Sequence, residues 1–255
     1  MRGYNAAMRI IAMTNIKGGV GKTTTAVNLA YLAAARGRRT LLWDLDSQGA
    51  ATWTLRVGGD SDISVKKLVN GDQEIADLPQ PTGYANLDAL AADPSLRNAD
   101  RYLQARKNPV ARLLKLSRGL RDRYDLLFLD CPPGMSLLSE NVLHAADALV
   151  IPCVPAPLAT RMLTTLSEFV VANGWSDLVL LPFFSMVDRR RSLHGEEIAA
   201  TRNAYPQMLT TEVPYWSEIE RMTVRRAPLP AYAPASTASA VYCDLLNEIE
   251  SRLPH

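Results

Sequence analysis

The sequence has few cysteines, no long apolar run and no real excess of either charge. Its three cysteines, Cys131, Cys153 and Cys243, are widely spaced and form no CxxC pair. They read as free thiols in a reducing cytoplasm, which argues against a disulfide scaffold or a cysteine-ligated cluster. No apolar run approaches the roughly 18 residues of a membrane span. The longest, Ala148–Ala159, is interrupted by Pro152, Pro155 and Pro157. The first seven residues lack the apolar segment of a secretory signal. The expectation is a loose tail over residues 1–8, then one domain over residues 9–255, in the cytoplasm. With 28 basic and 26 acidic residues the net charge is +2, so overall charge does not by itself indicate a nucleic-acid partner. A chain of 255 residues, 47% of them hydrophobic, buries a core without needing disulfides or a metal. No internal repeat, low-complexity block or dividing linker is present.

What is present is alternation. Apolar, β-branched runs at Arg9–Thr14, Thr40–Trp43, Leu87–Leu90, Leu126–Leu129, Leu149–Val154, Leu178–Phe184 and Leu209–Val213 read as strands. Between them, Lys22–Arg36, Val110–Arg121, Leu137–Ala145, Leu158–Val171, Gly195–Ala204 and Ala238–Arg252 carry helical patterns. Such alternation predicts an α/β fold, a single doubly wound and mostly parallel sheet with helices on both faces. Val57–Gly83 reads as a loop-rich excursion with a short helix near Ser64–Leu68. Charge is uneven: Arg97–Arg123 holds nine Arg/Lys against two Asp. A helix through Val110–Arg121 would set Arg112, Lys115, Arg118 and Arg121 along one broad side.

The sharpest chemical signal is Lys17-Gly18-Gly19-Val20-Gly21-Lys22-Thr23-Thr24, between the first strand and the first helix. Glycines let backbone N–H groups close around a phosphate, and the helix N-terminus adds its positive end. Lys22 is placed to meet β- and γ-phosphates and Thr23 to ligate Mg²⁺. The strict GxxxxGK[ST] pattern fails, because Ile16 stands at its first glycine.

With its leading lysine, this loop resembles the deviant Walker A motif of the ParA/MinD family of P-loop ATPases. Asp44-Leu45-Asp46-Ser47-Gln48-Gly49 resembles that family's switch I. Leu126-Leu127-Phe128-Leu129-Asp130-Cys131-Pro132-Pro133-Gly134 resembles its Walker B strand and switch II, with Cys131 where a threonine is common. Ser185–Asp188, Val213-Pro214 and Tyr232-Ala233-Pro234 extend the likeness, so it spans essentially Arg9–Leu253. The resemblance implies ATP and Mg²⁺ as cofactors. Asp44 and Asp130 would join Thr23 around the metal, and Asp46 would polarise the attacking water. Met186 and Pro214 would lie near the adenine, and Lys17 would reach a partner subunit's nucleotide. The NKxD base-reading motif of GTPases is absent. Two departures stand out: Pro155-Ala156-Pro157 replaces a Pro-x-Glu segment, and Tyr215, Trp216 and Glu218 stand where DNA-binding relatives carry arginines.

The resemblance thus implies a ParA-type positioning ATPase with a weak intrinsic rate. Its ATP-bridged homodimer would bind double-stranded DNA nonspecifically on the nucleoid, and a ParB-like or other adaptor protein would stimulate hydrolysis. Cargo would be a plasmid, a chromosome or a large protein assembly. Arg190, Arg221, Arg225 and Arg226 are the candidate DNA contacts, with the Arg112–Arg121 stripe as the rival face. A MinD-like membrane cycle would need a basic amphipathic tail. Ala238–Leu253 has Arg252 against Asp244, Glu248 and Glu250, and reads as a core helix. A metabolic ATP-dependent enzyme on the same scaffold would need a further acid/base cluster.

Overall fold

Eight strands build one sheet: β1 (Arg9–Met13), β2 (Thr40–Asp44), β3 (Gln80–Tyr84), β4 (Leu87–Leu90), β5 (Leu126–Asp130), β6 (Ala148–Cys153), β7 (Val179–Val187) and β8 (Glu212–Pro214). The computed structural model describes residues 8–58 and 63–253. The strand order is β3-β4-β2-β5-β1-β6-β7-β8. Every neighbouring pair is parallel except β3–β4. Met8 is buried against the core, directly before β1.

The central strands are apolar throughout because both faces are covered. Along β5, Leu127 and Leu129 enter one core layer while Leu126 and Phe128 enter the other. Helices α1 (Lys22–Ala35), α2 (Ala50–Thr54), α10 (Met222–Arg225), α11 (Leu229–Tyr232) and α12 (Thr237–Arg252) contribute to the second layer. Helices α3 (Val65–Asn70), α4 (Ala99–Gln104), α5 (Arg112–Ser117), α6 (Leu137–Ala145), α7 (Ala159–Ala172) and α8 (Ser192–Ala204) contribute to the first. A short α9 (Ser217–Glu220) leads into α10. Helix α12 buries Tyr242, Leu245, Leu246 and Ile249, as expected of a core helix.

The sequence pattern missed or misjudged four places. β3 lies in the stretch expected to be loop, and Pro81 and Gly83 masked it; both sit on an edge strand, where a missing N–H is tolerated. The short helices α2 and α4 bury only two residues each, Ala51 with Thr54 and Ala99 with Leu103, too few for a readable period. The helix expected over Val110–Arg121 is broken into a 3₁₀ turn, α5 and a second 3₁₀ turn. Pro109 starts the first turn, and Gly119 packs so tightly on Ile75 that a Cβ would lie 3.1 Å from its methyl carbon. The strand expected from Leu209 begins only at Glu212.

A buried asparagine helps to dock the carboxy-terminal segment onto α1. Asn28, fully buried on α1, accepts a 2.8 Å hydrogen bond from the Leu229 N–H and donates to the Met222 sulfur at 3.2 Å. Asn28→Ala strands a buried N–H and should lower the unfolding free energy by about 1–3 kcal/mol. Urea denaturation with an unchanged m-value would show it; an unaltered midpoint would mean that the segment docks without this bond.

Candidate functional site

The phosphate-loop segment is braced from both sides before it can meet a ligand. Asn15, buried at the end of β1, donates to the Pro152 carbonyl at 2.7 Å and accepts from the Lys17 N–H at 2.8 Å. Ser185 on β7 donates to the Val20 carbonyl at 2.8 Å. Gly21 has φ +91°, and a Cβ there would lie 3.0 Å from the Ser185 hydroxyl. Conformation and space therefore both require glycine. The loop runs directly into α1, which presents Lys22, Thr23 and Thr24 in its first turn.

Lys22 is buried, and its ammonium donates to the Lys17 carbonyl at 3.1 Å. Burial lowers its pKa below the usual lysine value, while Asp130, Cys131 and Asp46 pull it back up. The Lys17 side chain itself is exposed.

Strand register brings the carboxylates together. Asp44 at the end of β2 is the direct partner of Asp130 at the end of β5. Asp44 is well satisfied: one oxygen accepts from the Asp46 N–H at 3.1 Å, the other from the Thr52 N–H and hydroxyl, both at 2.8 Å. Burial still raises its pKa against these bonds. Asp130 differs. Both its oxygens are buried with no hydrogen-bond partner among the described residues. Burial, then the Asp44 charge, pushes its carboxyl well above the ordinary range; the nearby Thr23 hydroxyl and Lys22 ammonium oppose this. A desolvated carboxylate facing a hydroxyl and a second carboxylate is a donor set for a hard, oxygen-seeking cation such as Mg²⁺. These residues fit that ion. Asp46 is half-buried and lines the cleft.

That cleft, about 380 Å³, runs from Gly18, Gly19, Gly21, Lys22, Thr23 and Thr24 to an apolar end of Met186, Pro214, Tyr215 and Trp216. Met186 sits at a register shift between β7 and β8 with φ +56°. The structure thus sets Met186 and Pro214 on one wall with the phosphate loop. Lys17 does not line the cleft.

The candidate DNA arginines fare unequally. Arg190 is exposed but clamped by both carboxylate oxygens of Asp188, at 2.9 and 3.0 Å. The same clamp, led by Arg190 side-chain hydrogen bonds, lowers the Asp188 pKa to about 2. Arg221 and Arg225 are exposed. Arg226 lies with its guanidinium 3.9 Å from the Trp53 ring centre and donates to the Trp53 carbonyl at 3.0 Å.

Sequence reasoning gave no role to four residues here. Thr52 holds Asp44 and also accepts from the Ala92 N–H at 2.8 Å. Asn15 and Ser185 hold the phosphate loop, and Trp53 holds Arg226. Their polar groups work through the fold, so only proximity to the motifs could have flagged them.

Asp130 yields a pH prediction. Its folded-state pKa lies above the unfolded value, so its stabilising contribution is present below the unfolded pKa, roughly 3.9. It is lost as pH rises through the folded value. Asp130→Asn abolishes that titration. Without ligand, the variant should therefore exceed the native chain in stability at neutral and alkaline pH. The gap should narrow toward acid. Melts across a pH series that show a constant gap, or none, would contradict an uncompensated carboxylate.

A family model described as an AAA domain matches residues 8–173. The chromosome partitioning protein ParA of Myxococcus xanthus is 41% identical over 257 residues, spanning 98% of this chain and 91% of that protein. The chromosome-partitioning ATPase Soj of Thermus thermophilus is 36% identical over 260 residues, spanning 97% and 98% respectively. Among solved structures, a plasmid partition protein of Borrelia burgdorferi bound to AMPPNP has the same fold. Its TM-score is 0.85 at 19% identity, covering 96% of this chain and 99% of that one. Near-full-length identity to partition ATPases, together with the phosphate loop and the paired aspartates, makes this chain a member of the ParA/MinD family of P-loop ATPases.

Proposed function

We propose that this protein is a ParA-type positioning ATPase that binds Mg²⁺ and ATP, dimerises across the nucleotide, and holds duplex DNA in that state. It works in the cytoplasm on the nucleoid, and a ParB-like or other adaptor protein triggers hydrolysis and release. The observation that carries this reading is a direct bridge between the switch segment and the arginine-bearing segment. Helix α2 starts after Asp44–Gly49 and is held to Asp44 through Thr52. From its far end, the Trp53 indole N–H donates to the Thr223 carbonyl at 3.0 Å, and Arg226 stacks back on Trp53. Arg56 donates to the carbonyls of Arg225 and Arg226, each at 3.0 Å. A rearrangement of Asp44–Gly49 around a γ-phosphate therefore displaces residues 221–226 as well. DNA affinity and nucleotide state are then linked through shared atoms.

In this scheme the loop N–H groups and Lys22 hold the phosphates, and Met186 and Pro214 border the base. Thr23, Asp44 and Asp130 hold the metal, with the aspartates acting through its waters. Bound there, Mg²⁺ neutralises charge that develops on the phosphates. Asp46 orients the attacking water. Lys17, exposed and outside its own cleft, supplies its charge to the partner subunit's nucleotide. Lacking any further cation in its own cleft beyond Lys22, a single subunit hydrolyses slowly, because phosphoryl transfer depends on positioned positive charge. A membrane role is disfavoured by α12, whose apolar face is spent on the core. Among the described residues no helix is long and apolar enough to cross a bilayer.

Lys17→Ala should abolish dimerisation with a nonhydrolysable ATP analogue while nucleotide binding persists. Sedimentation velocity reads the first and equilibrium dialysis the second; dimers like those of the native chain would refute a trans lysine. For DNA, Arg221→Ala and Arg225→Ala should each flatten the log–log salt dependence of binding by about 0.9, one phosphate contact apiece. Arg226→Ala should leave that slope nearly intact and weaken the ATP requirement instead, since Arg226 serves the bridge. If the native chain binds DNA equally with ADP, the DNA-linked scheme is wrong.

A further inference from the structure

The basic stretch Arg97–Arg123 takes no part in the nucleotide site or the bridge, yet it lines a cavity of its own. Asn70 at the end of α3, Arg106 and Lys107 after α4, and Arg112, Lys115 and Arg118 around α5 surround a pocket of about 480 Å³. No carboxylate lines it, and none of these five cations has an ion-pair partner among the described residues.

Two of the cations are visibly ill at ease. Arg106 is braced by the Asn70 side-chain carbonyl, and Arg112 by the Leu68 carbonyl at 2.8 Å. The Nε atoms of both are nevertheless buried without any acceptor. Five side-chain polar atoms of the described residues share that condition, and two of them are on Asp130, the proposed magnesium ligand. Two more belong to Arg106 and Arg112, which line this pocket. Burial and the Arg106 charge both lower the Arg112 pKa, so the two guanidinium groups repel each other in partly desolvated surroundings. A buried donor without an acceptor costs stability, and a modest turn of either guanidinium toward an anion in the pocket would remove that cost.

We infer that this pocket is a second anion site, separate from the phosphate loop, and that it takes a small polyphosphate. Guanidinium forks match phosphate oxygens in pairs. The cavity volume falls within the range of small-molecule sites, about 300–1,000 Å³. Five cations around one cavity call for several negative charges on neighbouring atoms. A polyphosphate supplies them; carboxylates of an extended acidic peptide lie on opposite sides of the chain at successive residues. A duplex is too broad to enter a cavity of this size and would meet only its rim.

The test is calorimetric titration of inorganic tripolyphosphate, without magnesium, into the full chain and three variants. The native chain should show two binding events. Lys22→Ala should lose the phosphate-loop event and keep the other. Lys115→Ala with Arg118→Ala, both at exposed positions, should keep the first and weaken the second by about tenfold. Arg112→Gln should do likewise if its melting curve shows a folded chain. The inference is overturned if Lys22→Ala removes all binding, or if the Lys115/Arg118 variant titrates like the native chain. It is equally overturned if an oligoglutamate binds the second site as tightly as tripolyphosphate does. Loss of duplex binding in the Lys115/Arg118 variant, with tripolyphosphate binding unchanged, would make the face a DNA surface and overturn it too.

Discussion

Burying charge at the carboxyl ends of parallel strands is the constraint from which the rest of this structure follows. The register that pairs Asp44 with Asp130 sets two carboxylates side by side, away from water and close to the buried Lys22. Left alone, such a group of charges would be strongly destabilising. The chain resolves Asp44 by giving it two backbone N–H groups and a hydroxyl, and this fixes the path of residues 44–52 and the start of α2. It resolves Lys22 with a backbone carbonyl. Asp130 is left without a counterpart. The loop is held rigidly, yet one charge remains for a cation to neutralise.

The same path of residues explains why the two ends of the molecule's chemistry are joined. Helix α2 begins at the Asp44 bracket and ends at Trp53, Arg56 and the left-handed turn after it. Arg56 and Arg226 both have positive φ, at 57° and 51°, a conformation that costs roughly 1–3 kcal/mol for a residue with a side chain. Facing each other, they are held by hydrogen bonds among Trp53, Arg56 and residues 223–226 and by a cation–π contact worth about 0.5–1 kcal/mol at this exposed position. A junction that carries this backbone strain can be shifted by a change at either end, as a switch requires.

Much of this was legible in the sequence. Strands such as β1, β5 and β6 announce themselves because burial on both faces demands unbroken apolar runs. The phosphate loop and the aspartates are legible because few residue types can bend that backbone or meet a metal. The supporting contacts were not, for a physical reason. Thr52, Asn15, Ser185 and Trp53 each reach a backbone group far away in sequence, at Ala92, Pro152, Val20 and Thr223, and nothing in their neighbours encodes that distant partner. β3 was hidden by Pro81 and Gly83, residues that an edge strand accepts and a central strand would reject.

The basic stretch shows how composition can mislead in both directions. A near-neutral total did not by itself indicate a polyanion partner, and a straight helix would have spread Arg112, Lys115, Arg118 and Arg121 along one broad side. Helix α5 and its flanking 3₁₀ turns instead set Arg112, Lys115 and Arg118 with Arg106 and Lys107 around one cavity, where Arg112 donates to the Leu68 carbonyl. Arg190 shows the opposite outcome: a cation predicted to be free for DNA is matched by Asp188 across two hydrogen bonds. Whether a cation is available to a ligand thus depends less on exposure than on whether a carboxylate already occupies its donors. By that measure Arg221 and Arg225 on one surface, and the α5 pocket on another, hold positive charge with no ion-pair partner among the described residues.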